Sequence, residues 1–424
     1  MIARYRRAPM PDGTDHRDED AAAALWLRAN ALARKAAPGV LDRAAACILA
    51  ALVEAIASAR DPRIARAALA LAPSDGPATV VTGDVRATVP EAVAANAFLV
   101  HATLSDDAYR LALHPGLAAV PAALAHAEAT GATGAAVLRA VAGGYEVACR
   151  LADALLPQVS ERGFRVTAVI APVAVAATIS LLDDAPAAVA VEALRLACGA
   201  AGGPLRTVDA VGEAWSLQPA LATGAGIAAV RAARAGLLGA ERIVEAANGV
   251  HGSLCGGEWP GLPGDEDPRI LRVTFKEHPV AMYGQAIFDA VLRGGPPPAD
   301  ARSVTVHVSP FAAGYGRQDS SDAESVGSVA GIARRALAAV DPEAHPAITV
   351  AADPTLGPLD ARLEIDGTVL TGSGDTSGWG PSEVAAHALR RAGDGAGELV
   401  RACQELARAP DVAGVWAGVR AASR

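Results

Sequence analysis

Lysine is nearly missing from this chain. Of 37 basic residues only Lys35 and Lys276 are lysines, and the rest are arginines. Arginine is always charged and forked, whereas lysine is a compact ammonium whose pKa moves when buried. Other absences narrow the function. There is no basic cluster of the kind nucleic acid needs; the densest early group is Arg4, Arg6 and Arg7, and the net charge is −9. That excludes a nucleic-acid surface. No uncharged run of leucine-like hydrophobicity is long enough to cross a bilayer, so no membrane partner is expected. The mean hydropathy of +0.26 comes from alanine. No basic segment followed by a leucine-rich core and a cleavage site precedes the first helix, so a cytoplasmic protein is expected. The five cysteines, Cys47, Cys149, Cys198, Cys255 and Cys403, show no CxxC spacing. They read as small buried residues, and no metal is expected.

What is present is helical text. Residues 1–20 are polar, with Pro9, Pro11 and Gly13, and predict a frayed tail. From Ala21 to Leu71 apolar residues recur at helix spacing, broken at Pro38-Gly39. Thr79 to Thr82 is a short β-like patch ending at Gly83-Asp84. Helices are predicted from Pro90 to Leu104, at 116–130, 133–154, 168–182, 187–200 and 218–237. The stretch Leu104 to Pro115 reads as a loop. Prolines 260, 263 and 268, with Asp265, Glu266 and Asp267, form a linker.

Beyond the linker, runs alternate. Leu271, Val273 and Phe275 against Arg272 and Thr274 predict a strand ending at Lys276. Val304, Val306 and Val308, then Ile348-Thr349-Val350, then Leu363 and Ile365 predict others. Asp366-Gly367 signals a hairpin to Val369-Leu370. Helices are expected at 282–293, 325–340, 381–407 and 411–422. The fold class is mainly α: a large helical domain (21–265 and 381–424) and a smaller α+β domain (270–376).

Lys276 stands at a strand end, two residues from His278 and three from Pro279. That place suits proton transfer or carboxylate binding; the plain alternative is a surface lysine. His101 and His126 lie on apolar helices and read as structural. Asp106 and Asp107 either serve chemistry or cap the next segment. Tyr145 and Glu146 read as packing and as an ion pair with Arg150 one turn on. His251 and Cys255 read as loop residues, and Trp379 as core or interface.

Words spread along the chain resemble one family. They are Pro90 to His101, His114-Pro115-Gly116, Pro121-Ala122-Ala123, Gly143-Gly144-Tyr145-Glu146 to Arg150, Gly163-Phe164, Gly226-Ile227, Ala235-Gly236-Leu237, and Phe275-Lys276 to Asp289-Ala290. Their order and spacing are similar to those of the MmgE/PrpD family, which includes 2-methylcitrate dehydratases, cis-aconitate decarboxylases and iminodisuccinate epimerases. The resemblance implies a helical domain built from both chain ends, an α+β lid, a homodimer, no metal and no organic cofactor. It implies a site between the domains where protons move beside a carboxylate. His114 matches the family's site histidine and Lys276 its lid lysine. The family's Asp-Phe-Asp-Asp-Thr loop reads Leu104-Ser105-Asp106-Asp107-Ala108 here, so Asp106 and Asp107 remain. Arg165 stands in place of a histidine, Trp215 falls near a lysine, and Gln285 falls at another histidine.

The expected catalytic residues are therefore His114, Lys276 and Asp106. Expected substrate contacts are Leu104, Asp107, Arg165, Trp215, His278, Tyr283 and Gln285, with Arg110 as a further cation. In this reading His114 moves a proton and Lys276 stabilises developing negative charge. The loss of a cation at Trp215 points to a substrate larger and less anionic than citrate-type acids. Elimination, epimerisation and cyclisation remain open, as does a non-catalytic ligand-binding homologue.

Overall fold

The computed structural model describes residues 20–82, 85–295, 302–315, 326–393 and 395–423. The expected tail lies outside these residues apart from Asp20, as do Gly83-Asp84 and Ser325. The chain is mainly α with a smaller α+β part. Among the described residues no helix is long and apolar enough to cross a membrane, and all five cysteines are buried and free.

The helical part opens with α1 (Ala21–Lys35), α2 (Pro38–Ala59) and α3 (Pro62–Ala70). Asp20 caps α1 by accepting from the Ala23 amide at 2.9 Å. A small ribbon, β1 (Ala78–Thr79) with β2 (Arg86–Ala87), leads into α4 (Val89–His101). Then come α5 (Gly116–Thr130), α6 (Gly134–Leu155), α7 (Gln158–Glu161), α8 (Val166–Leu182), α9 (Ala187–Cys198), α10 (Arg206–Asp209), α11 (Ala214–Arg234) and α12 (Val250–Leu254). α8 is buried without a break from Val166 to Ser180. A helix apolar all round must be covered all round; α5, α6, α9 and α11 cover it.

Small residues permit that crowding. A Cβ on Gly226 of α11 would lie 2.3 Å from the Pro172 carbonyl oxygen, and one on Gly144 of α6 would lie 2.1 Å from Thr178 Oγ1. Helices this rich in alanine have short side chains, so their axes approach closely.

The smaller part holds α13 (Gln285–Gly294), β3 (Ser303–Val308), α14 (Pro310–Gly314), α15 (Val329–Val340), β4 (Ala347–Ala352), β5 (Asp360–Ile365) and β6 (Thr368–Ser373). The sheet order is β4-β3-β5-β6, with only β3 and β4 parallel. The alternation works as expected: Val304, Val306, Val308, Ala361, Leu363 and Ile365 are buried. Asp366 and Gly367, at φ 45° and 85°, make the tight hairpin turn between β5 and β6. α13 packs on β5 and β6, and α15 packs on β3 and β4.

The chain then returns to the helices through α16 (Pro381–Ala392), α17 (Ala396–Gln404) and α18 (Ala413–Ala422), and α16 and α17 pack on α2. Glu54 of α2 is 1% exposed. It accepts from Arg391 of α16 at 3.0–3.2 Å and faces His387 at 3.4 Å. A buried carboxylate needs such partners.

Two expectations are corrected. The run 271–275 is not a strand: Arg269–Arg272 is a 3-10 turn, and only Thr274 pairs, with Ala108. The backbone groups a neighbouring strand would take are taken by a side chain. Arg43 of α2 donates to the carbonyls of Ile270, Val273 and Trp379, and its guanidinium lies 4.5 Å from the centre of the Phe275 ring. The helix expected at 381–407 is split, because Gly393 adopts φ 81° and ends α16.

Substituting Gly226→Ala tests the close crossing of α11 on α8. Overpacking of this kind costs about 1–3 kcal/mol, and urea denaturation should show a loss in that range with an unchanged m-value.

Candidate active site

Between α4 and α5 runs a loop, residues 102–115, that holds three non-glycine residues in the left-handed region. They are Leu104 (φ 56°), Arg110 (φ 47°) and Leu111 (φ 69°). Each costs on the order of 1–3 kcal/mol and persists only where its surroundings over-determine it. Here the surroundings are specific. Lys276 Nζ donates to the Leu104 carbonyl at 2.7 Å. Ala108 and Thr274 exchange backbone hydrogen bonds at 2.9 Å. Asp107 accepts from the Gly116 amide (3.1 Å) and from Tyr145 Oη (2.6 Å). Thr167 of α8 bridges the Ala112 carbonyl and the His114 amide.

These ties gather a buried cluster. His101, at the end of α4, is fully buried. Its Nδ1 lies 2.8 Å from Asp106 Oδ2, and its Nε2 lies 2.5 Å from Arg165 Nη2. Arginine can only donate. His101 Nε2 therefore accepts, and Nδ1 carries the hydrogen that Asp106 receives. His114 Nδ1 lies 2.9 Å from the Asp107 carbonyl and 3.4 Å from Asp106 Oδ2. A carbonyl only accepts, so His114 Nδ1 also carries hydrogen, and Nε2 keeps the lone pair. The two rings are 4.8 Å apart. Lys276 Nζ stands 3.6 Å from Asp106 Oδ1, beyond hydrogen-bond reach, and among the described residues that oxygen has no hydrogen-bond partner.

Burial sets the protonation states. It drives both histidines well below their ordinary value, helped at His101 by Arg165 and Lys276 and opposed at His114 by Asp106. Both rings are neutral at pH 7. Burial also lowers Lys276, while Asp106, Asp107 and Glu54 pull it back up. It lowers Arg165 to about 10. Burial raises Asp107 to about 7, against the lowering effect of its bond from Tyr145.

A small cavity of about 20 Å³ opens beside this cluster, room for about one water. It is lined by Leu104, Leu111, His114, Arg165, Trp215, Tyr283 and Tyr315, with Ala112, Val208, Ala281, Val326 and Gly327. α8 begins just after Arg165, and α11 carries Trp215 in its first turn. Arg165 Nη1 donates to the Trp215 carbonyl.

The expected residues thus divide. His114, Arg165, Trp215, Tyr283 and Leu104 share the cavity. Asp106 and Lys276 stand behind it. Lys276 is 1% exposed, which rules out a surface lysine, yet it faces a gap shared with Glu54, Ser105, Phe275, Trp379 and His387. Asp107 is spent on Tyr145 and the start of α5. Gln285 and His278 do not line the cavity. Gln285 Oε1 accepts from the amides of Glu277 and His278, and His278 stacks on Phe288 at 4.7 Å. They shape the turn after Lys276. Arg110 points outward to Asp153 at 3.1 Å, on an open surface hollow.

Three residues in or beside the site escaped the sequence reading. His101, read as structural, is central to the cluster. Tyr145, read as packing, binds Asp107. Tyr315 carried no sequence signal, because its place in the cavity lining depends on which face of the α+β part turns inward.

His101, Asp106 and His114 place three donor atoms within 4.8 Å of one another. A resident divalent cation does not fit them. Both Nδ1 atoms carry hydrogen, and two cations, Arg165 and Lys276, already charge the same pocket.

The pH dependence of stability follows. The folded histidines resist protonation, so stability falls as pH drops through the ordinary histidine range near 6.5. Asp107 acts oppositely: its folded pKa is raised, so its contribution is present below about 4 and is lost as pH rises to about 7. Asp107→Asn should therefore differ from the wild type by a constant amount below about pH 4 and gain relative to it between pH 4 and 7. Urea midpoints across that range decide this; a pH-independent difference would refute the assignment.

No curated protein matches the chain. The model of the MmgE/PrpD N-terminal domain does, over residues 27–262. That stretch is more than half of the 424 residues, and the protein belongs to the MmgE/PrpD family.

Proposed function

We propose that the protein is a cofactor-independent lyase of the dehydratase kind, acting by proton transfer on a small molecule that bears a carboxylate or carbonyl and is not a citrate-type acid. One observation carries the reading. His114 is neutral, its Nδ1–H is engaged, and its lone-pair nitrogen belongs to a ring lining a cavity that also holds a guanidinium. A base and a cation beside one another are what removal of a proton next to a carboxylate requires.

In this mechanism His114 Nε2 takes the proton from the carbon next to the carboxylate. The charge that develops on the carboxylate oxygens is met by Arg165. The Asp107 carbonyl orients His114 through its Nδ1 hydrogen, Asp106 orients His101 in the same way, and His101, locked in its tautomer by Arg165, fixes Asp106. Lys276 is a positioning residue: its ammonium holds the strained Leu104 carbonyl and balances Asp106. Because the cavity holds about one water, substrate enters only when the α+β part, acting as a lid, moves back.

The lining argues the substrate's charge. Leu104, Leu111, Val208, Trp215, Tyr283 and Tyr315 surround one cation. Three carboxylates would need several. The reading goes with a homodimer in the cytoplasm. An isomerase would use the same proton abstraction without loss of a leaving group.

A panel of 2- and 3-hydroxy monocarboxylates, with citrate, 2-methylcitrate and cis-aconitate, tests this in heavy water by proton NMR. Loss of water from a monocarboxylate is expected, and deuterium exchange without it would mark an isomerase. Turnover of 2-methylcitrate at an ordinary enzymatic rate, on the order of 1–10³ s⁻¹, would end the reading. His114→Gln should lose ~10²–10⁴-fold in kcat. Lys276→Met should lower kcat and shift its pH profile while leaving KM nearly unchanged.

A further inference from the structure

Elimination needs an acid as well as a base, and two of the expected catalytic residues do not reach the cavity. Lys276 and Asp106 lie behind its wall. Among the groups that line it, His114 is the base, and Arg165, even lowered to about 10, already spends hydrogens on the Trp215 carbonyl and His101. Tyr283 donates its hydroxyl hydrogen to the Gly327 carbonyl at 2.6 Å. Tyr315 is different. Its phenol has no hydrogen-bond partner among the described residues, it is 8% exposed, and it lines the same cavity as His114. Its ring is fixed by stacking on Phe311 at 5.2 Å and by an edge contact with Tyr283 at 6.1 Å.

Resting on the lyase reading, we propose that Tyr315 is the catalytic acid that protonates the departing hydroxyl. The step balances. The pair of the C–H bond broken by His114 becomes the new C=C bond. The C–O bond breaks, its oxygen takes the Tyr315 proton and leaves as water. The phenolate is then reprotonated from the His114 imidazolium. The environment suits both states. Burial holds the phenol up at about 12, so it is protonated at neutral pH, while Arg165 stabilises the phenolate.

The test uses 3-hydroxy-3-phenylpropanoate, which offers one carboxylate to Arg165 and an aromatic body to Trp215 and Tyr283. Its 3-chloro counterpart has a leaving group that needs no proton. Tyr315→Phe should lose at least ~100-fold in kcat on the hydroxy acid and stay within about threefold of wild type on the chloro acid. His114→Gln should fail on both. Equal loss on both probes, or no loss on the hydroxy acid, would overturn the assignment. Calorimetry separates it from the lyase reading if neither probe turns over. Tyr315→Phe should then weaken 3-hydroxy-3-phenylpropanoate about fivefold or more and leave 3-phenylpropanoate unchanged. Equal affinities in that comparison would equally overturn it.

Discussion

Much of this structure depends on one hydrogen bond, from the Lys276 ammonium to the carbonyl of Leu104. It joins the segment leading into the sheet part to the loop between two helices of the helical part. It also holds a leucine in a left-handed conformation that leucine avoids. If the bond were released, the turn would relax and Asp106, two residues on, would lose its place. The other ties of the loop, the Thr274 bridge and the Asp107 cap, run in the same direction. Strain stored in the loop is thus held by contacts that reach from elsewhere in the fold.

Burial then turns geometry into chemistry. Two histidines, two acidic side chains, a lysine and an arginine share one volume closed to solvent. Taking charges out of water is costly unless they are paired. The cluster answers by keeping both imidazoles neutral, with the His101 Nδ1 hydrogen given to Asp106 and that of His114 to the Asp107 carbonyl. Arg165 does two jobs. It fixes the His101 tautomer through Nη2 and presents charge to the cavity. An arginine suits that dual task because its several hydrogens point in fixed directions.

Around the cluster, further arginines anchor the pieces, Arg43 and Arg150 buried and Arg391 half-buried. Arg43 ties α2 to the turn before Lys276. Arg391 ties α16 to Glu54, which faces the far side of Lys276. Arg150 pairs with Glu146 and reaches the carbonyls of Pro263 and Asp267 in the linker. The near absence of lysine therefore has a structural counterpart. Arginine takes the connecting roles here, and the one lysine in the site takes the position where a single ammonium fits.

The sequence by itself determined the helical text, the alternation of β3 and β5, and the hairpin at Asp366-Gly367. These depend on local periodicity and turn chemistry. It also singled out His114 and Lys276, through words whose order resembles a family. It misread 271–275, because alternation alone does not reveal that Arg43 takes the carbonyls. The tertiary structure decided which residues line the cavity, that Lys276 stands behind Asp106, that His101 joins the buried cluster and that Tyr315 lines the cavity. The reason is physical. Tautomers, shifted pKa values and side-chain directions are set by partners remote in the chain, as with Lys276 and Leu104, 172 residues apart.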